Sequence, residues 1–122
     1  MKKRTIVLFG LLLMVLTAVA GGKIKVACVG NSVTWGMAIT DREKNCYPAQ
    51  LQQMLGRGYE VRNFGHSGTT LLHLGHRPYV DQKEYKEALD FKADLVVIHL
   101  GLNDTDPRNW PEHSEDFNAD YI

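Results

Sequence analysis

Three short polar segments contain the residues of this chain whose types and spacing are suited to catalysis. Each segment follows a strand-like stretch: Gly30-Asn31-Ser32 follows 24–29, Gly65 follows 59–63 after Phe64, and Gly101-Leu102-Asn103-Asp104 follows 95–100. Because parallel strands place their carboxyl ends at one edge of a sheet, we expect these segments to meet there. A serine hydroxyl is a nucleophile, and backbone N–H groups and an Asn amide donate hydrogen bonds. Ester hydrolysis through a serine needs both kinds of group.

Ser32 is the candidate nucleophile of this set. A neutral hydroxyl attacks poorly and needs an adjacent general base. Its own backbone N–H can point at the oxyanion of a tetrahedral intermediate. The alternative interpretation makes Ser32 an ordinary turn serine and Asn103 a turn residue that bonds its own backbone.

Three motifs resemble the first three sequence blocks of the SGNH (GDSL-type) esterase/lipase superfamily: Gly30-Asn31-Ser32-Val33-Thr34-Trp35-Gly36, Asn63-Phe64-Gly65 and Gly101-Leu102-Asn103-Asp104. The resemblance is closest to bacterial secreted carbohydrate O-acetylesterases, including sialate and xylan acetylesterase-like members, and runs from about Lys23 to the last residue. It implies an α/β, flavodoxin-like three-layer αβα fold with strand order 2-1-3-4-5. The chain contains the first three parallel strands of that order. The resemblance also implies hydrolysis of O-acetyl esters on carbohydrates without a metal or organic cofactor.

The resemblance also implies roles for individual residues. Ser32 is the nucleophile, and Gly65 N–H and the Asn103 amide complete the oxyanion hole, with no Cβ at Gly65 to block the substrate. Four further residues are expected at the substrate-binding rim: Asn31, Trp35, His66 and Asp104.

Three of these rim residues have additional interpretations. Asn31 stands where the family usually has Asp, and its amide is expected to brace the turn below Ser32. Asp104 is expected to hold the Asn103 loop. Trp35 either stacks on a sugar ring or covers the core, and both alternatives stay open.

The family's last block, Asp-x-x-His, does not occur in these 122 residues. His113 has Trp110 three positions before it instead of Asp, so we do not assign it as the base. We therefore expect very weak or no esterase activity from the chain as given. The alternatives are a non-catalytic carbohydrate-binding remnant that uses Trp35 and Trp110, and a structural fragment without its own function.

The N-terminus is typical of a secretory signal peptide. Lys2-Lys3-Arg4 precede the uncharged run 6–20, which ends in the small-residue pattern Ala18-Val19-Ala20. The run is short for a membrane span of about 20 residues, which favours cleavage over an uncleaved anchor. We expect a signal peptide at 1–20, a partial SGNH domain at 21–122, and a secreted or periplasmic bacterial protein without a stable membrane anchor.

Composition and motif spacing exclude several other classes. The formal net charge is zero, and removal of Lys2, Lys3 and Arg4 with the leader leaves 11 basic and 14 acidic residues, so nucleic acid is not an expected partner. No Gly-x-Gly-x-x-Gly occurs, and Met37 stands where a phosphate-binding loop needs Lys. His73-Leu74-Gly75-His76 lacks a third metal ligand, and Cys28 and Cys46 are expected as unpaired thiols rather than a disulfide.

The remaining pattern predicts the elements that position the site. A helix is expected to open at Tyr47-Pro48 and end at 56–58, a second one covers 83–89, and a third begins near Ser114 as its cap. The continuous apolar run 95–100 suits a strand covered on both faces. As the last strand present, it is also expected to form an apolar edge that makes residues 21–122 self-associate.

Overall fold

A computed structural model describes residues 21–121 of the chain. The predicted signal peptide at 1–20 lies outside the described residues. The strands and helices follow one another in this order: β1 Ile24–Gly30, α1 Ser32–Trp35, α2 Arg42–Asn45, α3 Tyr47–Leu55, β2 Tyr59–Gly65, α4 Lys83–Phe91, β3 Leu95–His99 and α5 Phe117–Tyr121.

The three strands form one parallel sheet in the order β2-β1-β3, which is the order expected for the first three strands. In the register, Gly30 at the end of β1 lies opposite both Gly65 of β2 and His99 of β3. The carboxyl ends of all three strands therefore lie at the same level, and the segments that follow them leave the sheet side by side.

Helices cover both faces of β2, as a three-layer α/β arrangement requires. Successive side chains of a strand point to opposite faces. The Asn63 amide lies 3.6 Å from Cys46 Sγ, directly before α3, whereas the next residue, Phe64, packs on Phe91 of α4 with ring centroids 5.6 Å apart. Phe64 and Phe91 form the core cluster together with Ala27 of β1.

The expectation that β3 is covered on both faces is wrong for the described part of the chain. Leu95, Val96, Val97 and Ile98 are between 40% and 58% exposed. Within residues 21–121, β3 pairs only with β1, so it is an edge strand of the sheet. The expected apolar edge is therefore present.

Two local features differ from the sequence-based prediction. The segment 30–46 contains α1 and α2, which were not predicted because a four-residue helix is too short to show a hydrophobic stripe. The last helix begins at Phe117 rather than near Ser114. The Ser114 hydroxyl donates to the Pro111 carbonyl at 2.9 Å instead of capping a helix.

Helix length and hydropathy were also compared with what a bilayer requires. Among residues 21–121, no helix combines the length and the apolar character needed to cross a membrane.

Candidate active site

Ser32 begins α1 on the tight turn that follows β1. Asn31 is the N-cap, and its Oδ1 accepts from the Val33 N–H at 3.0 Å. The Asn31 N–H donates to the His99 carbonyl at 3.3 Å, which ties the turn to the end of β3. A Cβ on Gly30 would collide with the Thr34 hydroxyl, so glycine permits this close packing. Ser32 itself is half-buried.

Asn31 braces the turn below Ser32. Its side chain is completely buried, whereas a place at the exposed binding rim was expected, and its role in substrate binding stays a prediction. The bracing atom is the carboxamide oxygen and not the amide nitrogen. Asn31 Nδ2 is buried and has no hydrogen-bond partner within residues 21–121.

Gly65 does not offer a free donor to the site. Its N–H donates to Asn63 Oδ1 at 2.8 Å. A Cβ at this position would collide with the backbone nitrogen of Trp35. The close packing of α1 against the end of β2 therefore requires glycine here. The oxyanion role of Gly65 stays a prediction, and its N–H is already bonded within the turn.

The loop after β2 offers other donors that the sequence reasoning missed. Within the described part of the chain, the backbone N–H groups of Ser67, Gly68 and Thr69 have no protein acceptor. Gly68 has φ of +81° between two neighbours that are not left-handed. Such alternation turns successive N–H groups toward one side and forms anion-binding nests. The second glycine in Gly65-His66-Ser67-Gly68 was the available sequence signal.

Asn103 lies against this same loop. It begins a 3₁₀ turn after β3, and its Nδ2 donates to the Thr69 carbonyl at 2.8 Å. One amide N–H is used in this bond, and the Asn side chain has a second N–H to donate. The fold thus brings the Asn103 amide beside the unpaired N–H groups of 67–69.

Asp104 is a buried latch between the two loops. Its carboxylate is completely buried, and its two oxygens accept from the backbone N–H groups of Leu71 at 3.0 Å and Leu72 at 2.7 Å. The expectation that Asp104 holds the Asn103 loop agrees with this geometry. Its predicted role in substrate binding stays a prediction, and its buried position differs from the exposed rim that was expected.

Trp35 and His66 remain at the surface of the site region. Trp35 is 39% exposed, so it does not cover the core, and the Arg42 guanidinium lies 4.3 Å from its ring centroid. His66 Nδ1 lies 2.9 Å from Glu84 Oε2 on α4, a partner that the sequence pattern did not indicate. The His66 N–H donates to the Gly30 carbonyl at 2.8 Å, which anchors it two residues from Ser32.

Four of the five histidines in the described residues, His66, His73, His76 and His113, have side-chain partners other than Ser32. Besides the His66–Glu84 pair, His73 Nδ1 lies 3.5 Å from Asp120 and His113 Nδ1 lies 3.6 Å from Asp116. Within residues 21–121, no side chain hydrogen-bonds the Ser32 hydroxyl. That range also contains no cluster of three or more side chains able to hold a metal ion.

Two buried cysteines and Tyr47 lie close to α1. Cys28 and Cys46 are both buried free thiols, and burial raises the pKa of Cys28. Burial likewise raises the pKa of Tyr47 to about 12, while its hydroxyl lies 3.2 Å from the Thr34 hydroxyl. Cys28 and Tyr47 are therefore uncharged at neutral pH and add no charge to the turn.

Comparison of the sequence with known proteins identifies one family. The profile of the GDSL-like lipase/acylhydrolase family matches residues 28–121, which includes all three strand ends. A curated acetylxylan esterase from Xylanibacter ruminicola is 54% identical over 92 residues, covering 75% of this chain and 19% of the relative. The chain thus spans about a fifth of the length of that relative. No solved structure matches significantly.

Proposed function

This chain belongs to the GDSL-like lipase/acylhydrolase family, and we propose that it contains the nucleophile and the oxyanion-binding part of a carbohydrate O-acetylesterase. One observation carries the proposal. The Asn103 amide bonds to the Thr69 carbonyl at 2.8 Å, and the strand register places this contact at the same sheet edge as Ser32. The name of the acetylxylan esterase relative supports an acetylated carbohydrate as the substrate class.

The proposed reaction begins with attack by Ser32 Oγ on the acetyl carbonyl carbon. The C–O π electrons move to the oxygen, and a tetrahedral oxyanion forms. Collapse of this intermediate breaks the ester bond between the carbonyl carbon and the sugar oxygen. The sugar oxygen takes up the proton that Ser32 lost and leaves as a hydroxyl, so that Ser32 carries the acetyl group. Water then attacks the acetyl-serine and releases acetate, which restores Ser32.

The oxyanion is stabilised by neutral donors in this proposal. The donors are the Ser32 N–H, the second N–H of the Asn103 amide, and Gly68 N–H from the unpaired set. Each donor of this kind contributes about 3 kcal/mol to lowering the barrier. Gly68 replaces Gly65 in this role because the Gly65 N–H already bonds to Asn63.

A general base is needed to remove the proton of Ser32. Since no imidazole of residues 21–121 hydrogen-bonds the Ser32 hydroxyl, we propose that this part of the chain turns over slowly by itself. Serine hydrolases without a functional triad keep about 10³- to 10⁴-fold acceleration over water through binding and oxyanion stabilisation. His66, held by Glu84, is proposed as a rim residue that meets the substrate.

A carbohydrate-binding role without catalysis is the second candidate. The exposure of two tryptophans favours it, because Trp35 is 39% and Trp110 is 41% exposed. An exposed indole can stack on a sugar ring, as aromatic side chains with one free face do at binding surfaces.

Export of the protein is also proposed, and it rests on the leader-like pattern of residues 1–20.

The test compares wild-type protein with Ser32→Ala and with Ser114→Ala as the matched control. Acetate release is measured from p-nitrophenyl acetate and from acetylated xylan oligosaccharides. We expect slow release in wild type and Ser114→Ala, and its loss in Ser32→Ala. Equal rates in wild type and Ser32→Ala would contradict the nucleophile assignment. Tryptophan quenching by the oligosaccharides without any acetate release would favour the binding protein instead.

A further inference from the structure

Asn109 is a completely buried side chain that the proposed chemistry does not use directly. It lies in the turns after the 3₁₀ segment at 103–105, and its position was not indicated by any sequence motif. Its Oδ1 accepts from the His76 N–H at 2.8 Å. Its Nδ2 donates to the Asn103 carbonyl at 2.9 Å and lies 3.0 Å from His76 Nδ1.

These contacts use all the hydrogen-bonding groups of the Asn109 side chain. A carboxamide has two N–H donors and one oxygen acceptor, and here both donors and the acceptor have partners. An Asp at this position would place a carboxylate oxygen against the Asn103 carbonyl, where two acceptors repel each other. An apolar residue would leave buried backbone groups unbonded. The site therefore requires an amide.

Asn103 is consequently held at two points. Asn109 bonds its backbone carbonyl, and the Thr69 carbonyl bonds its side-chain amide. The two contacts together set the direction of the second amide N–H of Asn103. Asp104 joins the same two loops at Leu71 and Leu72, so the loops stay connected when Asn109 is changed.

We infer that Asn109, bridged to His76, is a positioning residue that orients the Asn103 amide for oxyanion binding. This inference rests on the proposed function of Asn103. Donor geometry matters because an error of about 1 Å in placement can cost about 100-fold in rate. The role is indirect, since Asn109 is buried behind Asn103 and touches no substrate.

The first test uses the wild-type chain and needs no activity. Side-chain NH₂ groups are assigned by ¹H–¹⁵N NMR, and their exchange with solvent is measured. We expect slow exchange for both Asn109 side-chain protons, and one slow and one fast proton for Asn103. Fast exchange of both Asn109 protons would overturn the inference.

The second test compares Asn109→Asp with Asn118→Asp, which makes the same change at an exposed position of α5. We expect Asn109→Asp to shift the Asn103 side-chain signals and leave the β1 amides unchanged, while Asn118→Asp shifts neither. Unchanged Asn103 signals in a folded Asn109→Asp protein would contradict the positioning role. If Asn109→Asp does not fold, Asn109→Ser is measured in the same way.

The kinetic test separates the two proposals. Asn109→Asp is expected to lower kcat for aryl acetate hydrolysis by about 10- to 100-fold with KM unchanged. A raised KM with kcat unchanged would place Asn109 in substrate binding and contradict the inference. If wild type and Ser32→Ala have equal rates, the proposed function fails, and the exchange pattern of Asn103 still decides whether Asn109 orients it.

Discussion

The loops at the strand ends and the outer strand of the sheet invert the usual distribution of polar and apolar residues. Within residues 21–121, six polar or charged side chains are completely buried, and all belong to the segments that follow β1, β2 and β3: Asn31, Thr34, Thr69, Thr70, Asp104 and Asn109. On β3, four consecutive apolar side chains are 40% to 58% exposed.

The difference shows which part of the site is complete within the described residues. Asp104 and Asn109 bond to the neighbouring loop, whereas Thr69 and Thr70 bond within their own loop and Thr34 pairs with Tyr47 of α3. Asn31 Nδ2 is the single buried side-chain N or O atom of residues 21–121 without a partner. Hydrogen bonds among 66–78 and 101–109 thus order the candidate site locally. The hydrophobic burial of β3 is not complete in the same range, so stability at that edge depends on what else contacts it.

The largest expected effect comes from breaking the buried latch at Asp104. Asp104→Ala leaves the Leu71 and Leu72 N–H groups without their acceptors, and we expect a loss of about 2–4 kcal/mol in the free energy of unfolding. Asp104→Asn keeps one oxygen and is expected to cost about half as much. Urea denaturation monitored by circular dichroism measures both changes.

Asp41→Asn is the matched control for that comparison. Asp41 is exposed and its side chain forms no capping hydrogen bond. We expect its substitution to change the free energy of unfolding by less than about 0.5 kcal/mol. Similar losses at positions 41 and 104 would refute a special role for the buried latch.

A smaller effect is expected from Tyr79, which supports the end of β2. Its buried hydroxyl donates to the Phe64 carbonyl at 2.6 Å, and burial, with the nearby charge of Glu84, raises its pKa. A raised pKa in the folded state stabilises the protein below the unfolded value of about 10, and this stabilisation is lost as the pH rises above that value. Melting temperatures between pH 8 and 12 should therefore fall steeply.

Tyr79→Phe should lower the free energy of unfolding by about 1–2 kcal/mol at pH 8, because the Phe64 carbonyl loses its hydrogen-bond donor. Its alkaline decline should also be shallower than that of wild type. Tyr47, with a pKa of about 12, contributes to the decline in both proteins. Tyr121→Phe, at an exposed position, should leave the curve unchanged, and a shift there equal to that of Tyr79→Phe would argue against burial as the cause.

Substitutions on β3 are expected to change the free energy of unfolding least, but to change self-association measurably. An edge strand with exposed apolar side chains favours pairing between molecules. We expect residues 21–122 to self-associate in size-exclusion chromatography with light scattering, and Val96→Lys to shift the distribution toward monomer. Met54→Lys, at a 78% exposed position of α3, is the control and should have no such effect. A monomeric wild type at all concentrations would contradict this expectation.

The sequence predicted the elements that carry the site because their signals are local. Strand-like stretches predicted all three strands, the stripe after Tyr47-Pro48 predicted α3, and the strand ends located Ser32 and Asn103. The alternation of strands and helices predicted a parallel sheet with right-handed crossovers, whereas the order of the strands followed from the family resemblance. The short helices α1 and α2 carried no such signal.

The sequence did not show which polar residues would be buried. Asn31 and Asp104 were expected at the binding rim, and both are completely buried. Gly65 was expected to donate to an oxyanion, yet its N–H bonds to Asn63. In each case the partner is a backbone or side-chain group whose position depends on how a loop folds back, which no periodic pattern encodes.

By itself, the sequence determined the three strands and the segments that follow them, because hydrophobic spacing and glycine turns act over a few residues. Only the tertiary structure decided which donors and acceptors at that edge are already paired. The Gly65 N–H is bonded to Asn63, and the contacts made by Asn109, Asp104 and Glu84 join residues about 20 to 35 positions apart, so they exist only after the loops have packed together.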